Sequence, residues 1–179
     1  MKLKLAIISV LLFGVFSAQQ MKEYKVGTTV KIAVPSNYVK SYNLNDFAIA
    51  QFTNAVNEKY VVVIQTEKEH LNSVQVSFAD IAEAGNYYVK SLVDGLAENG
   101  KKTVSTPKKM KIGNNDAAEL LVQGTFIDEE DHTETDLFYH LTVVETPAYY
   151  YQIISWSQLK DRNKNLSEFM NIAKSFAEL

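Results

Sequence analysis

Between Ala117 and Trp156 apolar side chains recur at every second position. Ala118, Leu120, Val122 and Phe126 alternate with Glu119, Gln123 and Thr125, the pattern of a strand with one buried and one wet face. Leu137, Tyr139, Leu141 and Val143 repeat it, with His140 and Thr142 between them. Pro147 then ends the run, because proline has no amide proton to donate to a ladder. Tyr149 to Trp156 resumes with aromatic and β-branched residues suited to a pleated surface. Short links favour antiparallel neighbours, so the stretch predicts a three-stranded meander.

The period then changes. From Asn165 to Leu179, Leu166, Phe169, Met170, Ala173, Phe176 and Ala177 follow helical spacing, and Asn165 with Glu168 has the form of a capping box. The apolar stripe of this helix has to be buried, and the meander is the nearest surface. Upstream, Gln19 to Thr29 reads as a polar lead-in held loosely until it reaches the sheet. Val30 to Val34 is a short strand stopped by Pro35, and Phe47–Thr53 and Lys59–Thr66 form a hairpin through Asn54–Glu58. A long helix is predicted over Ser77 to Glu98, with Ile81, Ala84, Tyr88, Leu92 and Leu96 along one side and Asn99-Gly100 as its stop. Lys101–Thr106 and Lys109–Ile112 are weaker strand candidates, and Gly113–Asp116 is a turn. Two helices far apart in sequence, each with a stripe needing cover, predict an α+β fold: an antiparallel β-sheet flanked by helices on opposite faces.

An apolar fraction of 46% supports a continuous core and excludes compositional disorder, and no linker divides the chain, so residues 19–179 are expected to form a single domain. The N-terminus differs. Lys2 and Lys4 precede the uncharged run Leu5 to Phe16, and Ser17-Ala18-Gln19 offers small residues for cleavage, which predicts a secretory signal peptide over residues 1–18. As a helix that run covers only about 18 Å, too short for a hydrocarbon core of roughly 30 Å, so no transmembrane segment is expected after cleavage. The protein is therefore expected to be exported, periplasmic or secreted. With no cysteine it has neither a lipoprotein attachment site nor disulfides. Losing Lys2 and Lys4 takes the formal charge from −3 to −5, an acidic balance that argues against nucleic acid as a partner.

On the segments VKIAVPSNY (30–38), IAEAGNYYVKSLVDGL (81–96) and YYYQIISWS (149–157) followed by LSEFMNIAKSF (166–176), the chain resembles the PsbP-like family of α/β/α sandwich proteins. That fold is shared with a small eukaryotic Ran-binding protein and with exported bacterial proteins. The resemblance spans nearly the whole chain after residue 18. It implies the sandwich fold and a non-catalytic binding or assembly role, but the matching segments are strand and helix patterns that place no family binding residue.

Motifs for chemistry are absent: no phosphate loop, no nucleophile elbow, no two-histidine zinc helix, no calcium loop of the helix-loop-helix type. No cofactor is expected. His70 beside Glu67 and Glu69 has the makings of a general base, but its charged, turn-like surroundings favour a solvated residue. His140, with nearby carboxylates, is the other candidate for a hydrolase. The densest feature is Asp128 to Asp136 (DEEDHTETD), around His132. Its repelling carboxylates make Asp128, Glu130, Asp131 and Glu134 candidate ligands of a weakly held calcium ion, against the alternative of a solvated hairpin tip. Lys101, Lys102, Lys108, Lys109 and Lys111 either neutralise that tip, make a basic patch for an anionic partner, or protect a sheet edge. Tyr149, Tyr150, Tyr151 and Trp156 put rings on both faces of one strand, as core or as a binding face, and Tyr87 and Tyr88 pose the same question. The function expected is an exported, non-catalytic binding or assembly module of the cell envelope, its partner a protein or envelope component. The alternative is a carrier of a small molecule or divalent ion in a pocket between sheet and helix.

Overall fold

The computed structural model describes residues 20–179; the expected signal peptide lies outside them. The first half of the chain runs β1 (Met21–Val26), β2 (Val30–Pro35), β3 (Val39–Lys40), β4 (Ala48–Asn54), β5 (Lys59–Glu67), α1 (Lys68–Ser73) and α2 (Ile81–Asp94). The second half runs β6 (Thr103–Val104), β7 (Lys108–Ile112), β8 (Asn115–Ile127), β9 (Glu134–Glu145), β10 (Tyr149–Gln158), α3 (Arg162–Lys174) and β11 (Ala177–Glu178).

The meander forms as β8-β9-β10, and β10 then pairs with β5 at the centre of a large sheet ordered β3-β4-β5-β10-β9-β8-β6, with β7 also on β8. Every ladder is antiparallel. Register aligns Leu120, Leu141 and Ile154 on one face and Leu121, His140 and Ser155 on the other. The first face packs on α2; the second carries α3 together with a small sheet ordered β1-β2-β11. The sheet is therefore sandwiched, and Val62 enters one core while Val61 and Val63 enter the other.

This corrects the wet face expected of Ala117–Ile127. Ala117 and Ala118 point in opposite directions and both are 0% exposed, because the alternation divides two cores and not core from solvent. The lead-in is also more ordered than its polarity suggests: Met21–Val26 pairs along its length with β2. The long helix is shorter than expected. Asp80 caps it by accepting from the Ala82 and Glu83 amides at 2.8 and 3.0 Å, and it ends at Asp94, after which the chain turns so that Leu96 packs over Gly124. The C-terminal helix starts at Arg162, so Asn165 is no cap: it lies inside the helix, donating Nδ2–H to Ser157 Oγ at 2.9 Å. Beyond Lys174, Phe176 still enters the core, but Ala177-Glu178 add a strand to β2. At Gly113 (φ +59°) β7 turns into β8 through a two-residue hairpin whose first position favours glycine.

Candidate functional site

The residues singled out for chemistry are dispersed. His140 is 0% exposed on the α3 face, with Nε2 3.1 Å from Glu119 Oε2, so no substrate reaches its ring. His70 lies exposed in α1. The acidic hairpin is organised from within: Asp128 Oδ1 accepts from the Glu130 and Asp131 amides at 2.8 and 3.3 Å, and Asp131 Oδ1 accepts from the Thr133 amide at 2.8 Å. Hydrogen bonds from Thr133 hold the Asp131 carboxyl below its ordinary value. Glu130 and Glu134 point into solvent, and among the described residues no group of three or more His, Asp or Glu side chains is arranged to hold a metal ion.

The lysines do not serve the acidic tip. Lys109 pairs with Asp80 at 2.7 Å, Lys111 with Asp116 at 2.8 Å, and Lys102 donates to the Val93 carbonyl at 3.0 Å. Lys101 and Lys108 are exposed. The pairing with Lys109 is also the main reason that the Asp80 carboxyl is held low. Of the aromatic strand, Tyr150 and Tyr151 are buried on opposite faces. Tyr150 OH donates to Glu145 Oε1 at 3.1 Å under Lys68, and Tyr151 OH shares a 2.8 Å hydrogen bond with Thr29. Tyr88 is buried in the α2 core, and its neighbour Tyr87 is 42% exposed.

Trp156 is different. It opposes Tyr60 on β5 and Tyr139 on β9, and the three rings stack across the three strands, with centroids 5.1 and 6.0 Å apart and planes inclined by 20° and 30°. This row lies on the α2 face toward the C-terminal end of the helix, where the sheet is only partly covered. The result is a cleft of about 290 Å³. Val62, Ile154, Tyr139 and Trp156 form its floor. Leu92 of α2 and Leu44 with Asn45 from the β3–β4 loop form its walls, and Phe126 and Leu137 stand at its mouth. Burial pushes the Tyr139 hydroxyl up to about 12, so the cleft stays neutral throughout the physiological range. Two larger hollows, of about 400 and 520 Å³, are lined mainly by polar and charged side chains such as Glu67, Lys68, Glu134 and Lys160.

The cleft combines an apolar lining with few polar groups, the usual make-up of a small-molecule site, near the lower end of the usual size. The sequence pointed to Trp156 but read Tyr139 and Leu92 as core. Only strand register could have found the row, since Tyr60, Tyr139 and Trp156 are far apart in the chain.

The architecture is that of an α+β protein with the PsbP/Mog1-type fold. No protein-family model matches the chain, and no curated protein sequence matches it. Among solved structures it is similar to cyanobacterial PsbP (CyanoP) of Synechocystis sp. PCC 6803, with a TM-score of 0.63 at 12% identity over 93% of this chain and 96% of that one. It is also similar to the Ran-binding protein Mog1p of Saccharomyces cerevisiae (TM-score 0.59, 14% identity, 89% and 96% of the two chains). LpqN of Mycobacterium tuberculosis, a protein involved in cell envelope biogenesis, gives 0.52 at 8% identity over 88% and 91%. At these identities the likeness is one of fold. Among the described residues no helix is long and apolar enough to cross a membrane.

Proposed function

We propose that this protein is an exported, non-catalytic binding module of the cell envelope that takes its target in the Trp156 cleft. The observation that carries the reading is the cleft itself: an aromatic floor only partly covered, on the face of the sheet against which α2 packs. A concave, partly exposed apolar lining with a few polar groups is the kind of surface that takes a small ligand. The histidine most suited to acid–base work is sealed away from it. Export rests on the N-terminal pattern, and the envelope setting is supported by the role printed for LpqN. That the cleft lies between sheet and helix favours a carrier over a module that docks another folded protein.

The test is native mass spectrometry of the protein expressed with its own leader and purified from the envelope fraction of its host. A retained component is expected with the wild type and not with Leu92→Arg, which drives a charged side chain into the cleft. Bare monomer from both proteins would sink the reading.

A further inference from the structure

Resting on that reading, we infer that the occupant of the cleft is an uncharged, ring-bearing small molecule. The reasoning starts from what the lining lacks. Its nine residues include no lysine, arginine, histidine, aspartate or glutamate. A carboxylate, phosphate or ammonium placed there would lose its water without gaining a counter-charge, a penalty that an ordinary hydrogen bond does not offset. A neutral occupant loses nothing of the kind.

The shape of the floor narrows the class further. Trp156 is held between two near-parallel rings, Tyr60 behind it and Tyr139 beside it, so its indole is fixed before any ligand arrives. Stacked in this way the rings turn their edges to the cleft, and a flat ring laid across those edges makes the edge-to-face pairs that contribute beyond the area they bury, with little side-chain freedom left to lose. Leu92, from a helix, and Leu44, from a loop, complete the apolar lining. A volume of about 290 Å³ accepts one or two fused rings. Polar recognition rests on the Tyr139 hydroxyl and the Trp156 indole N–H, for neither of which a hydrogen-bond partner is seen among the described residues, and on Asn45; a single hydroxyl or carbonyl on the ligand would suffice for any of them.

Trp156 is the one tryptophan in the chain, so the protein carries its own reporter. In the ¹⁵N-labelled protein its indole N–H gives a single, self-assigned peak. The probes are 1-naphthylmethanol, which is neutral, and 1-naphthoate, the same ring system bearing a negative charge. The neutral probe is expected to move the indole peak saturably, with a midpoint below about 1 mM. Naphthoate is expected to bind at least about tenfold more weakly. Leu92→Arg abolishes the response, and Phe126→Arg, at a mouth position 36% exposed, weakens it while leaving the dispersion of the spectrum intact. Naphthoate binding as well as the alcohol, or an unmoved indole peak at millimolar probe, overturns the inference. If the peak stays still while the wild type, but not Leu92→Arg, retains a component from the envelope, the neutral-ring assignment fails and the binding-module reading stands. If the probe binds but both proteins come from the envelope bare, the assignment stands and that reading falls.

Discussion

Glu119 and His140 meet across β8 and β9 beneath α3, the carboxylate side chain 13% exposed and the imidazole not at all. With Glu119 ionised, His140 Nε2–H donates to it. That hydrogen bond holds the Glu119 carboxyl below its ordinary range, against the smaller opposing effect of burial. A depressed folded-state value means that the pair contributes stability above the ordinary carboxylate range and loses it as pH falls through the folded-state value. Glu119→Gln should therefore lower unfolding free energy by about 1–3 kcal/mol at neutral pH. The deficit should shrink below about pH 4, which urea unfolding at about pH 7 and pH 3 would reveal. A deficit that does not change with pH would place the stabilisation in packing instead.

The helices are anchored by different physics. On one face, α3 is tied to β5 by a nearly buried ion pair, Lys59 Nζ to Glu168 Oε1 at 2.6 Å, with Tyr38 OH donating to the same oxygen at 2.7 Å. Burial, reinforced by the neighbouring Glu168 charge, raises the Tyr38 hydroxyl far above its ordinary value, so it remains a donor. On the other face, α2 comes down onto β8 at Gly85, where an added Cβ would lie 2.9 Å from Leu120 Cδ1. Glycine to alanine inside a helix ordinarily gains about 1 kcal/mol. Here crowding against a fully buried leucine outweighs that gain, and Gly85→Ala is expected to lose about 1–2 kcal/mol in thermal or urea unfolding. Adding Leu120→Val should recover part of the loss; a stabilised Gly85→Ala would show that the helix can lift freely.

Across the molecule, stability is expected to grade from the centre of the large sheet outward. β9 and β10 are paired on both sides and packed on both faces, whereas β3, β6 and β11 are two-residue strands. Amide exchange should be slowest at Leu141, Val143 and Ile153 and approach the unprotected rate at Lys40 and Val104. Uniform protection across the sheet would contradict this ordering. The Trp156 cleft lies on this most protected part, so its floor is rigid while one wall comes from the β3–β4 loop.

The fold class, the meander, the β4–β5 hairpin and the two flanking helices were all legible in the chain, because each rests on a local period of two or 3.6 residues that a single segment carries by itself. Local pattern had no access to partners. Met21–Val26 looked like a loose leader because its strand character depends on β2, and Asn165 looked like a cap because the helix begins earlier, directly after β10. The same limit governed the site. Trp156 was visible as an aromatic in a strand, and Tyr139 and Leu92 as apolar positions, but alternation cannot say whether a face is covered. The placement of β5 beside β10 aligned Tyr60, Trp156 and Tyr139 in one row, and the end of α2 at Asp94 left that row only partly covered. Those are matters of register and of where a helix stops over a sheet, and only long-range packing decides them.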